Sequence, residues 1–281
     1  MRRVVVPGQF YSEDLSPGVR LQRFYPGGKD GPNREVLGDL PGGQGWTEMF
    51  YLGEPEDGFQ VSAPDIRLPA NQYWPLHWHD CWTAVLVMEG QCSIGDWWMQ
   101  PGDLLIVEPS LEYGPMVIGP HGCRLFEIFA QAHLSPGGYS PEYRDHPTLQ
   151  GVEAVFMERS ALNRRNAGRQ IQPCDGVKGI SKTRLSPGAH WDLGESGDPD
   201  RGVLQNTHLA PGERLAAHTY DDWHMLLVLA GSLKVTDRTL GPDDLLKVGP
   251  NGRVGEIEAG AEGVDLLELS RTARGMQARP I

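Results

Sequence analysis

Apolar residues along this chain come in short blocks, many of them alternating with polar ones, and the blocks are bounded by Gly, Pro, Asn or Asp. That pattern is the period of a half-buried β-strand, and the continuous blocks suit fully buried strands. It predicts strands in Gly45–Gly53 and Phe59–Leu68, then at Ala84–Met88, Leu104–Val107 and Leu125–Phe129. A hairpin is predicted around Gly95-Asp96, and Asp30-Gly31-Pro32-Asn33 and Pro41-Gly42-Gly43 read as turns. Helical spacing occurs in Gly151–Arg165, where Val152, Val155, Phe156 and Leu162 would share a face, so a short linker helix is expected there.

One stretch then repeats. His77-Trp78-His79-Asp80-Cys81-Trp82 leads into an apolar run that ends at Gly90. At an offset of 141 residues, His218 falls on His77, Asp221 on Asp80, Trp223 on Trp82 and Gly231 on Gly90. Asp103-Leu104-Leu105 falls likewise on Asp244-Leu245-Leu246, and Glu127 on Glu268. Residues 77–127 share 18 identities over 51 positions with 218–268. A gapless internal repeat of this length means a tandem duplication, and it decides the architecture.

In a strand, residues i and i+2 face the same way, so His77 and His79 can present two imidazoles to one point, as a metal ion requires. The His-x-His, the strand ending in Gly, and Pro101-Gly102-Asp103-Leu104-Leu105-Ile106-Val107-Glu108-Pro109 resemble the two motifs of the cupin superfamily. Two copies resemble a bicupin. The resemblance covers roughly 60–130 and 200–270, and implies an all-β chain of two tandem jelly-roll barrels with a short helical linker. The expected layout is an N-terminal extended arm over 1–35, a first barrel over 36–130, a linker over 131–176, a second barrel over 177–270 and a tail over 271–281.

Composition narrows the partners. The 281 residues suffice for two modest barrels, and 36 Gly with 23 Pro suit many tight turns. A net charge of −12 argues against nucleic acid and against an anionic membrane surface. The first apolar run, Val4-Val5-Val6, is too short for a signal-peptide core, and no stretch would span a membrane, so a cytoplasmic location is expected. Cys81, Cys92, Cys123 and Cys174 form no Cys-x-x-Cys pair and read as free buried thiols. Cys81 shares strand parity with His77 and His79. The arm carries apolar pieces, Val4-Val5-Val6 and Val19-Arg20-Leu21, that need a surface to bury them. The arm would add edge strands either to a barrel of its own chain, giving a monomer, or to a partner subunit; the resemblance implies exchange between subunits, hence a homodimer.

The resemblance also implies a ligand set of three His and one Glu, and both copies depart from it. In the first, His77 and His79 match, Thr83 stands for the Glu and Tyr113 for the last His. In the second, His218 matches, Tyr220 replaces the second His, His224 the Glu and Val254 the last His. A divalent transition metal (Fe, Mn, Zn or Ni) is expected on His77 and His79, and His208, His218 and His224 form a second candidate cluster. Arg67 matches His208 and, facing inward, would clamp a substrate carboxylate; Thr83 and Trp78 are further candidate substrate contacts. Tyr113 and Glu127 are the candidates for proton transfer. Desolvation would raise the pKa of an inward Glu127 or Glu268, whereas an outward one would sit on a solvated face. The Trp74, Trp78, Trp97 and Trp98 cluster suits either a pocket wall or packing. The function expected by resemblance is a metal-dependent enzyme acting on a small organic acid, diketone or phenolic compound, by dioxygenation or an isomerase or lyase step. The alternative is a non-catalytic bicupin that binds a small ligand such as a sugar.

Overall fold

The structure is a computed structural model, and it describes residues 11–23, 34–40, 43–54, 59–74, 76–130, 138–139, 174–194, 201–271 and 278–280. Among these residues there is no helix, and every strand pairing is antiparallel. The helix expected in 151–165 lies outside the described residues. The chain divides into two compact units. One is built from residues within 34–51 and 61–184, the other from residues within 1–33, 52–60 and 185–281.

The first unit is organised by two long strands, Thr83–Ile94 and Met116–Phe129, paired over most of their length. Asp103–Val107 flanks the former and Phe59–Leu68 the latter. The apolar run Thr83–Val87 is wholly buried, as a strand packed on both faces must be. Inward residues form one core with Val85, Val87, Leu105, Val107, Tyr113 and Leu125 at its centre.

The second unit repeats this at the same offset. His224–Val235 pairs with Ile257–Ser270, flanked by Asp244–Val248 and Gly202–Leu209. Its core holds Leu226, Val228, Leu246, Val248, Val254 and Leu266.

Each unit's flanking strand is covered by a strand from far away in sequence. Ile180–Arg184 pairs along Asp103–Val107, and Arg184 and Lys182 both reach the Asp103 carboxylate. The sequence layout began the second barrel at about 177, whereas this strand completes the first. Val19–Arg23, in hairpin with Tyr11–Ser16, pairs along Asp244–Val248. Covering an edge satisfies backbone groups that would otherwise template further pairing. Val19 and Leu21 are thereby buried in the second core, so the surface these arm residues need is supplied by the same chain.

Candidate functional site

His77, His79, Thr83, Tyr113 and Glu127 come together inside the first barrel. His77 and Tyr113 face each other across a short antiparallel bridge, with reciprocal backbone hydrogen bonds of 3.3 and 3.0 Å. Strand parity turns His79 the same way. The two imidazoles stand edge to face with centroids 5.3 Å apart, and the Tyr113 ring lies 4.6 Å from His77 and 6.2 Å from His79. Phe129 packs on His79 at 4.7 Å. All five of the first-named side chains are buried.

Pairing sets Val85 opposite Glu127 and Thr83 opposite Phe129, so Thr83 and Glu127 are diagonal neighbours on the inward face. Glu127 therefore faces the interior and not a solvated surface. Among the described residues it has neither a hydrogen-bond nor an ion-pair partner, and burial alone pushes its carboxyl up to about 7. Burial, then the nearby Glu127, then Cys81 and Cys174, hold the Tyr113 phenol well above its ordinary range, so it keeps its proton. Thr83 Oγ1 is buried and unpaired.

Two expected substrate contacts lie elsewhere. Arg67 is on the outer face, opposite Arg124, and pairs with Glu89 at 3.6 Å. Its neighbour Ile66 is the residue that packs on the core. Trp78 alternates away from His77 and His79 and is half-buried.

The second barrel has a different, closed arrangement. His218 Nδ1 lies 2.8 Å from the Ala216 carbonyl, and so carries the proton and donates it. Its Nε2 then accepts from the Tyr220 hydroxyl at 3.2 Å. Tyr220 stacks flat on His224, with centroids 3.8 Å apart and planes 7° apart. His224 Nε2 donates to Glu268 at 2.8 Å. Burial pushes the Glu268 acid up. The hydrogen bond and charge of His224, with Thr207 and His218, outweigh it and hold the carboxyl below its ordinary value. The raised acid expected of an inward Glu is thus found in one copy only. Burial, then Glu268, raises the Tyr220 phenol. His208 is not in this cluster: it lies outside and pairs with Asp265 at 2.7 Å, because Thr207 and Leu209 are the inward residues of its strand.

These contacts decide whether the residues fit the metal centre that the resemblance implies. Among the described residues no three His, Cys, Asp or Glu side chains are grouped to hold an ion. In the first barrel His77 and His79 remain of the implied set, Glu127 is not grouped with them to hold an ion, and the neighbouring oxygens are a neutral hydroxyl and a phenol that keeps its proton. In the second, Tyr220 occupies His218 Nε2 and Glu268 occupies His224 Nε2. The residues do not fit a centre with three or four protein ligands.

The sequence reading missed two positions. Phe129 and Ser270 are equivalent, as are Thr83 and His224, and each copy pairs one large with one small residue. The ring that packs on position 79 comes from Phe129, and the ring that packs on position 220 from His224. Cross-strand exchange of bulk was visible as two linked substitutions at the 141 offset, but only pairing shows that they touch.

No family model matches the chain, and no curated protein matches it. Solved structures do. A provisionally named dioxygenase from Nostoc punctiforme is 13% identical, with a TM-score of 0.59 over 88% of this chain and 83% of its own. The protein Ylba from E. coli is 10% identical, with a TM-score of 0.55 over 95% of this chain and 96% of its own. The oxalate decarboxylase of Lactobacillus farciminis, solved as a formate complex, is 15% identical, with a TM-score of 0.50 over 90% and 89%. Likeness at these identities establishes the fold alone: two tandem jelly-roll barrels, the architecture that the bicupin resemblance implied. No described helix is long and apolar enough to cross a membrane.

Proposed function

We propose that the first barrel takes a small organic acid, diketone or phenolic compound, and that Glu127 moves a proton on it in an isomerase or lyase step. The supporting observation is one buried carboxyl without a partner among the described residues, raised to about 7. A group whose pKa lies near the operating pH takes a proton and returns it with little penalty on either side. Ionised, Glu127 removes a proton from carbon; protonated, it returns that proton to another carbon or to a leaving group. Tyr113 keeps its proton and donates a hydrogen bond to a substrate oxygen, as Thr83 Oγ1 does. His77 and His79 complete the polar lining. Burial of the set excludes water, which strengthens each contact.

Dioxygenation, the activity for which the Nostoc protein is provisionally named, would require a divalent transition metal (Fe, Mn, Zn or Ni) on His77 and His79. The donor set gives that reading less support than proton transfer. Metal analysis of purified wild type and of the His77→Ala/His79→Ala double variant separates them: equal content favours proton transfer. A non-catalytic ligand binder would use the same side chains without turnover. The decisive experiment is solvent deuterium exchange into a panel of small 2-oxo acids and 1,3-diketones. At least one is expected to exchange about 100-fold faster with wild type than with Glu127→Gln. Equal rates for every compound would overturn the catalytic reading and leave the binder.

A further inference from the structure

In the second barrel, His224 is wholly buried and its Nε2 is committed to Glu268, while Nδ1 is buried with no hydrogen-bond partner. Buried ring nitrogens are seldom left unpaired, so each such atom calls for an account. The surroundings supply one. Gln205 sits opposite Glu268, and Thr207 opposite Leu266, so both side chains face the interior. Both are nevertheless half-buried, whereas Leu204 and Leu209 on the same strand are buried. Inward side chains that remain partly exposed mark a place where solvent enters the barrel. From that opening the polar groups run in sequence: Gln205 Nε2 donates to Thr207 Oγ1 at 3.0 Å, Thr207 bonds to Glu268, and Glu268 holds His224. Tyr220 stacks on one face of the His224 ring.

We propose that the second barrel is a second binding site, for a small neutral polyhydroxy compound that hydrogen-bonds His224 Nδ1 and the Gln205–Thr207–Glu268 row. A hydroxyl both donates and accepts, so it pairs with Nδ1 whether or not that nitrogen carries a proton. The row alternates an amide, a hydroxyl and a carboxylate, which adjacent hydroxyls match in turn. The row ends on the Glu268 carboxylate and the chain carries a net charge of −12, so a neutral ligand fits better than an anion. This site is independent of the proton-transfer site around Glu127.

The test uses the full chain with ring-labelled histidine, followed by NMR during titration with erythritol, xylose and glucose. At least one of the three is expected to shift the His224 ring resonances saturably and leave those of His77 and His79 in place. Gln205→Ala and Thr207→Ala sit at the opening, where folding tolerates them, and each is expected to weaken that binding about fivefold to tenfold. His224→Asn should abolish it. Three results would overturn the proposal: no saturable shift with any of the three compounds, shifts confined to His77 and His79, or unchanged affinity in both opening variants.

Discussion

Glu127 and Glu268 hold the same place in the two copies, yet burial raises one acid while His224 keeps the other ionised. The difference traces to one pair of equivalent positions, Thr83 and His224. The raised carboxyl has a consequence for stability. Its folded pKa, about 7, exceeds the ordinary 4.5, so the folded state holds the proton more tightly than the unfolded one. Its contribution is complete below pH 4.5 and is lost as pH rises through 7. Wild type is therefore expected to lose about 3 kcal/mol relative to Glu127→Gln across that window, and nothing further above it. Denaturant melts of both proteins from about pH 4 to about pH 8 check this. The inward faces of His77 and His79 were legible from parity alone. The face of Glu127 was not, because its strand carries register shifts between Ile118 and Cys123 and between Arg124 and Leu125. His208 shows how sharp that dependence is. One residue of parity separates it from the inward Thr207, and a shift of one residue turns a strand's side chains over.

At the scale of elements, the duplication carries its strand irregularities with it. Gly90 and Gly231 lie within the long strands, beside equivalent register shifts, at φ +71° and +77°. A Cβ there would stand 2.1 Å from the carbonyl oxygen of Gly122 or Gly263 respectively. Both glycines are required twice over, by conformation and by backbone approach. Gly90→Ala and Gly231→Ala should each cost roughly 2–4 kcal/mol, with the loss confined to the unit that carries the change. Thermal unfolding of each variant reads it directly, and tolerance of either change would refute the close approach. The strands themselves were legible in the apolar blocks. The partners of the flanking strands were not. Nothing local in Val19–Arg23 or Ile180–Arg184 says which sheet it completes, since edge pairing is made by backbone groups that every residue carries.

For the whole molecule, the repeat makes the tandem architecture readable from the residues alone, while the site chemistry resists because it lies in the positions where the copies differ. A homodimer built on arm exchange remains a proposal, and the placement of Val19–Arg23 on its own chain's sheet narrows it. Light scattering on the full chain is expected to show a monomer of about 31.0 kDa if the arm serves only its own barrel. Removing residues 1–25 should then uncover Asp244–Val248 and produce association. A full-length dimer that becomes monomeric on removal would instead support exchange. The proposed proton transfer rests on one carboxyl, and a site-resolved carbon-13 titration of the glutamate side chains, assigned with Glu127→Gln, measures it. The Glu127 midpoint is expected near pH 7 in metal-free protein. A midpoint at or below the ordinary 4.5 would contradict it.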